Sequence, residues 1–258
     1  VIKFNGILYH SLFLLLLILY ASFKVPAQEL NRTQLDSLYT QFIKLRTAAA
    51  EVVQISSGEI DSGNVKCGFG LSTRIRLNFK NFSSSQQKEL SKILQRPSSD
   101  ASMVSPSGFF RIHYNTAGVD IPGYDPNLTT EENVMQVAIA ADSAYNFEVG
   151  FLGYPAPPQD NGEGGDNRYD IYITSIRDYG STEPENSLGN QTYTSFIKIH
   201  PDYANFYTKG LSAMRVTMAH EIHHAIQIGN YTFDRYDQDA FFYEMTSTAM
   251  EEFVFDSV

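Results

Sequence analysis

An α+β fold, with a small mixed sheet set ahead of two paired helices, is what this sequence predicts, and three observations predict it. From about residue 101 onward, short runs that alternate apolar and polar residues are interleaved with helical patterns, as in mixed α+β domains. The chain then runs through two long helical patterns, "KGLSAMRVTMAHEIHHAIQIG" and "DQDAFFYEMTSTAMEEFVF". Its 258 residues, 43% hydrophobic and 13% aromatic, suffice to bury a core and lie far from disordered composition.

At the start of the chain, residues 1–27 read as a signal peptide: Lys3, the apolar run "SLFLLLLILYASF", then the small residues Val25 and Ala27 as a cleavage signal. The alternative is an uncleaved anchor, since about 20 apolar residues can span a bilayer. Either reading places the rest of the chain at a secreted or cell-surface location. Residues 28–100 form an N-terminal helical region, a propeptide or a subdomain. Within it "ELNRTQLDSLYTQFIKLRTAAAEVV" carries Leu35, Leu38, Phe42 and Leu45 at helical spacing and ends in the stretch "SSGEIDSGNVKCGFG". "SSQQKELSKILQ" predicts a second helix, opened by serine caps and closed before Pro97. The loop "RPSSDASMVSPSG" marks the boundary of a domain over 101–258, which reads as continuing beyond Val258. There "GFFRIHYNT", "RYDIYITSI" and "YTSFIKIH" are strands, and "TTEENVMQVAIAADSAYNFEV" is a capped helix.

Charge narrows the partners. The net formal charge is −10, and two of the 19 basic residues fall within the first 27, so the remainder is more acidic still. Such a surface disfavours nucleic acid and, once the leader is cleaved, anionic membrane. Cys67 is the single cysteine, which excludes an internal disulfide framework and any multi-cysteine zinc site.

The chemistry concentrates in "MAHEIHHAIQIGNY". On a helix turning about 100° per residue, Met214, Met218, Ile222, Ala225 and Ile226 form an apolar stripe, and His220, His224 and Gln227 fall opposite it. The i, i+4 spacing projects two imidazoles from adjacent turns toward one cation. Glu221 sits on the flank of that face, where its carboxylate can reach a water held by the metal without becoming a ligand: two ligands and a general base from five residues. His223 is the bystander of the group, a packing or supporting histidine.

A third ligand must come from elsewhere. The metzincin continuation requires glycine and histidine where this chain has Gln227 and Asn230, and no histidine follows His224. A carboxylate from the next helix is the remaining solution, giving a His₂Glu site with an open position. Glu244, 20 positions beyond His224, is the candidate, with Glu251 and Glu252 behind it. On the same helix Phe241, Phe242, Met245, Ala249 and Phe253 form the stripe expected to face the core, while Glu244, Thr248, Glu251 and Phe255 share another face.

"MAHEIHHAIQ" followed by "FFYEMTSTAMEE" resembles the gluzincin branch of zinc peptidases, and more closely a largely uncharacterised group of secreted bacterial HExxHAIQ metalloproteases. "GFFRIHYNTAGVD" and "GGDNRYDIYI" are similar to that group as well. The resemblance implies a zincin-like catalytic domain, Zn²⁺ held by His220, His224 and Glu244, and Glu221 as base. Thermolysin-like members carry an aspartate four residues after the ligand glutamate, where this chain has Thr248, so Glu251 becomes the substitute support for the first histidine.

The implied activity is hydrolysis of an extended peptide or protein substrate, with "YTSFIKIH" as the edge strand that pairs with it. Tyr231, Tyr236, Tyr243 and His200 are available as oxyanion donors. Cys67 in "KCGFG" carries a second idea: as a thiolate it could take the open zinc position in a latent form, against the simpler reading of an inert buried cysteine. The competing reading of the whole domain is a catalytically degenerate zincin-like module for surface binding or adhesion.

Overall fold

The computed structural model describes residues 29–47, 67–231 and 236–256. The leader expected over residues 1–27, the end of the first helix and the Gly/Ser stretch as far as residue 66 lie outside the described residues. The helices and the sheet all belong to one compact unit, Asn31–Val258. It is α+β, with a five-stranded mixed sheet and six α-helices among the described residues. None of these helices is long and apolar enough to cross a membrane.

Helix α1 (Arg32–Thr47) buries Leu35, Leu38 and Phe42, the stripe its spacing announces. Helix α2 (Phe69–Leu77) was not expected. Its inward residues Phe69, Ser72, Thr73 and Ile75 mix apolar with polar, so no apolar period betrays it. The polar ones face inward because α2 packs against a strand across a buried ion cluster centred on Arg46. Helix α3 (Ser84–Ile93) opens on a capping box in which Ser83 and Gln86 satisfy each other's backbone N–H groups.

Strands β1 (Ala101–Val104), β2 (Phe110–Tyr114), β3 (Tyr169–Ile173), β4 (Gly180–Gly189) and β5 (Thr192–Ile199) lie in the order β1-β2-β3-β5-β4. The β2–β3 and β3–β5 pairs are parallel, and both outer pairs are antiparallel. Two sequence expectations are corrected here. β1 lies inside "RPSSDASMVSPSG", the stretch read as a boundary loop. "YTSFIKIH" is not an edge strand: β5 is interior and the edge is β4, "GSTEPENSLG". That composition reads as loop, and Pro184 has no N–H to give a ladder. A sheet edge tolerates such a proline, and the register slips just beyond it.

Helix α4 (Thr130–Tyr145) begins on a Thr129–Glu132 capping box and runs into a wide π-type turn, Asn146–Phe151, which turns Glu148 inward. Helix α5 (Gly210–Asn230) lies against α4 and the sheet. Its stripe Met214, Met218, Ile222, Ala225 and Ile226 is fully buried, as expected, against Val134 and Val137 of α4 and Ile171, Ile197 and Ile199 of the sheet. Each large apolar side chain so buried contributes about 1.5–3 kcal/mol.

Helix α6 (Tyr236–Val254) returns beside α5, but with the opposite face inward from the one its pattern suggests. Phe241 is 78% exposed, Phe242 59%, Met245 45% and Phe253 61%. Buried instead are Ser247, Met250 and Glu251. The polar face is drawn in because α5 presents buried imidazoles that need partners.

Candidate metal centre

One turn of α5 carries His220 and the next His224, both almost fully buried. Their Nε2 atoms lie 3.0 Å apart. Glu244 Oε2 of α6 is 3.3 Å from His220 Nε2 and 3.6 Å from His224 Nε2. Cys67, just ahead of α2, brings Sγ to the same point: the donor atoms of Cys67, His220, His224 and Glu244 all lie within 4.8 Å of one another. Bonds of about 2.0–2.3 Å to a tetrahedral cation require donor separations of about 3.3–3.7 Å, so this buried group could hold a metal ion.

The outer nitrogens explain why the inner ones are free to bind. His220 Nδ1 is 2.7 Å from Glu251 Oε1, an acceptor that keeps a proton on Nδ1 and turns Nε2 inward, where a cation would replace its proton. His224 Nδ1 is 2.7 Å from Gln227 Oε1. The amide of Gln227 is pinned because its Nε2 donates to Tyr243 O at 3.2 Å and Thr246 Oγ1 at 2.9 Å, which leaves the oxygen for His224. Ser247 Oγ lies 3.1 Å from the same His224 Nδ1. Phe69 stacks on the His224 ring at 4.0 Å and 16°. Both imidazoles are thus fixed in tautomer and orientation.

Electrostatics follow the same geometry. Burial depresses His220, but the Glu244 and Glu251 carboxylates outweigh it and raise its pKa to about 9. His224, buried beside the His220 imidazole, falls to about 4 despite Glu244 and Gln227. Burial alone would raise Glu244; hydrogen bonds from the two histidines instead hold it well below the carboxylate range. Burial, reinforced by the Glu221 and Glu244 carboxylates, pushes the Cys67 thiol up. That order reverses beside a divalent cation, which deprotonates a coordinating thiol outright.

Glu221 projects from α5 toward the first residue of β4. Burial raises its pKa to about 7, offset in part by His220, the Cys67 thiol and the Thr182 hydroxyl. Thr182 Oγ1 donates to Glu221 Oε2 at 2.8 Å, while Oε1 is buried without a well-formed hydrogen bond among the described residues. Gly180 makes room for this carboxylate: a Cβ there would stand 2.8 Å from both Cγ and Oε1 of Glu221.

The three residues expected as ligands therefore meet, with Glu221 adjacent and Cys67 as an additional donor. His223 lies outside the group; its Nδ1 is 2.7 Å from Glu148 Oε2. Of the backup carboxylates, Glu251 reaches the outer nitrogen of His220 and Glu252 is exposed. Thr248 is exposed as well, so the position that departs from the thermolysin pattern plays no part. Among the oxyanion candidates, Tyr243 packs against the Cys67–Phe69–Ile228 cluster. His200 accepts from the N–H groups of Asp202 and Tyr203, Tyr231 is exposed, and the Tyr236 side chain lies outside the described residues.

Sequence reasoning missed Thr182, Ser247 and Phe69. Gln227 was visible on the histidine face, whereas nothing local connects Thr182 or Phe69 to a helix so far along the chain.

Comparison of the chain with protein-family models, curated proteins and solved structures finds no match.

Proposed function

We propose that this chain is a zinc-dependent endopeptidase of the zincin type, with His220, His224 and Glu244 holding the metal and Glu221 as general base. One observation carries the reading: two imidazoles, each held through Nδ1 with Nε2 turned inward, converge with a carboxylate oxygen. Two nitrogens and one carboxylate oxygen are the donor set of catalytic zinc sites, which keep a further position open. Zinc bound there supplies a Lewis acid that lowers the pKa of a water and polarises a carbonyl.

The chain's own residues do the rest. Glu221 lies one residue from His220, with its carboxylate beside the donor group, placed to take a proton from water and return it to a leaving amine. Thr182 steers its carboxylate through Oε2, leaving Oε1 for the proton. The edge of β4 beside Glu221 replaces β5 as the strand on which an extended peptide would add. The apolar run and small residues within 1–27, read as a leader, support a secreted or cell-surface location.

Zinc content and casein hydrolysis test the reading, the latter on the full chain and after limited proteolysis. The wild type is expected to bind one zinc, and His220→Ala and His224→Ala to lose it. Glu221→Gln is expected to keep zinc and to lower hydrolysis by about 10²–10⁴-fold. Undiminished cleavage by Glu221→Gln would remove the base assignment. Zinc binding with no hydrolysis by any form would favour the degenerate surface-binding module.

A further inference from the structure

We propose that the chain is a latent precursor: Cys67 Sγ is the fourth ligand of the metal, standing where a water must stand for hydrolysis, and the segment from Cys67 to Phe69 covers the centre until it is displaced. This rests on the zinc-peptidase reading of the site.

Four observations meet on Cys67. Its sulfur shares one donor group with the two histidines and Glu244, within 4.8 Å. That sulfur accepts the Phe69 N–H at 3.3 Å, a hydrogen bond that stabilises a thiolate. The backbone at Cys67 forms a parallel bridge with Gly180, and the Gly68 N–H donates to Gly180 O at 3.0 Å. The segment therefore takes the first residue of the free sheet edge, beside Glu221, where an extended substrate would add. Phe69, two residues on, covers the His224 ring. Thiol, backbone and ring together supply a fourth donor, occupy the start of the strand edge and cover the His224 ring.

The segment is held from behind by a second device. Arg46 of α1, 4% exposed, binds Asp178 Oδ2 at 3.0 Å, Glu183 Oε1 at 2.6 Å, Ser181 Oγ at 2.7 Å and Ser72 Oγ at 3.1 Å. One guanidinium thus ties α1 and α2 to β4. Gly68 passes so close that a Cβ on it would stand 2.7 Å from the Arg46 guanidinium and 2.0 Å from Asp178 Oδ2. On metal loading the Cys67 thiol gives its proton to solvent and the sulfur–metal bond forms. With the segment displaced, Cys67 would no longer be a donor to the metal, and a water in its place would lie where Glu221 can accept its proton.

The test reads sulfur ligation first and activity second, on the full chain. X-ray absorption of the zinc-loaded wild type is expected to contain one sulfur at about 2.3 Å. The cobalt-loaded protein should add a sulfur-to-metal charge-transfer band in the near ultraviolet. Cys67→Ser should lose both signals while still binding one metal. Its casein hydrolysis should rise by the inverse of the fraction already open, about tenfold if nine-tenths is closed. Treating the wild type with an organomercurial, which needs no variant to fold, should give the same rise. Zinc bound by nitrogen and oxygen alone would overturn the inference and leave the metal centre standing. Sulfur ligation with no rise from either treatment would overturn latency, given an active Glu221-dependent form from limited proteolysis. A chain that binds no zinc would bring down the parent reading instead.

Discussion

Glu251 offers the sharpest test of how the site is built, because it should matter to the metal without touching it. Its Oε1 lies 2.7 Å from His220 Nδ1, and the residue is 7% exposed. A buried hydrogen bond to a charged partner contributes about 1.5–3 kcal/mol. At about 1.4 kcal/mol per tenfold, that corresponds to roughly 10- to 150-fold in zinc affinity, in line with the 10–100-fold typical of such supporting carboxylates. The two substitutions should separate charge from contact. Glu251→Gln keeps an oxygen that can accept from Nδ1–H and should weaken zinc binding by about tenfold, while Glu251→Ala loses the contact and should cost about 100-fold. Competition against a chelator of known affinity measures both, with circular dichroism of the metal-free proteins as the control for folding. Equal affinities for wild type and Glu251→Ala, in folded protein, would refute the claim that this carboxylate sets the tautomer and direction of His220.

Two further expectations come from close contacts. Gly180→Ala places a methyl 2.8 Å from the Glu221 carboxylate and 2.7 Å from Thr217 Cγ2, so it should destabilise by about 1–3 kcal/mol in denaturant unfolding. In the same variant hydrolysis should fall more than zinc affinity, because the base is displaced and the ligands are not. Arg46→Met leaves Asp178 and Glu183 buried without their guanidinium and should cost about 3–5 kcal/mol, read as a lowered unfolding midpoint. A loss below about 1 kcal/mol would mean that the ion cluster is solvated and does not hold α1 and α2 to β4.

How much of the site could be read in the chain depended on how local each feature is. His220, Glu221 and His224 occupy one helix, and helical geometry alone puts the two imidazoles on one face and the buried stripe on the other. Gln227 belongs to the same short range, one turn beyond His224. Glu244 was reached by elimination: no histidine follows His224, so a carboxylate on the returning helix was the remaining donor. Glu251 followed from Thr248 standing where an aspartate was expected. The strands β2, β3 and β5 were visible for the same local reason, alternation in β2 and short runs rich in Tyr, Ile, Phe and Thr in β3 and β5. β4 was not, since an edge strand containing Pro184 keeps a loop-like composition, and α2 was not, since its buried face is partly polar.

The orientation of α6 and the place of Cys67 belong to the tertiary structure. Apolar periodicity turned Phe241, Phe242, Met245 and Phe253 inward, yet they face solvent. Turning them in would carry Glu244, Ser247 and Glu251 away from two buried imidazoles, and a helix has only one face to give α5. Sequence spacing could raise Cys67 as an idea but could not bring it near His220, because that approach needs the Cys67–Gly180 bridge and the Arg46 cluster in place. The sequence by itself determined which side chains one helix can offer a metal. The packing of α6 and of the segment before α2 decided which others join them, because those contacts depend on pairings between distant parts of the chain that no local periodicity encodes.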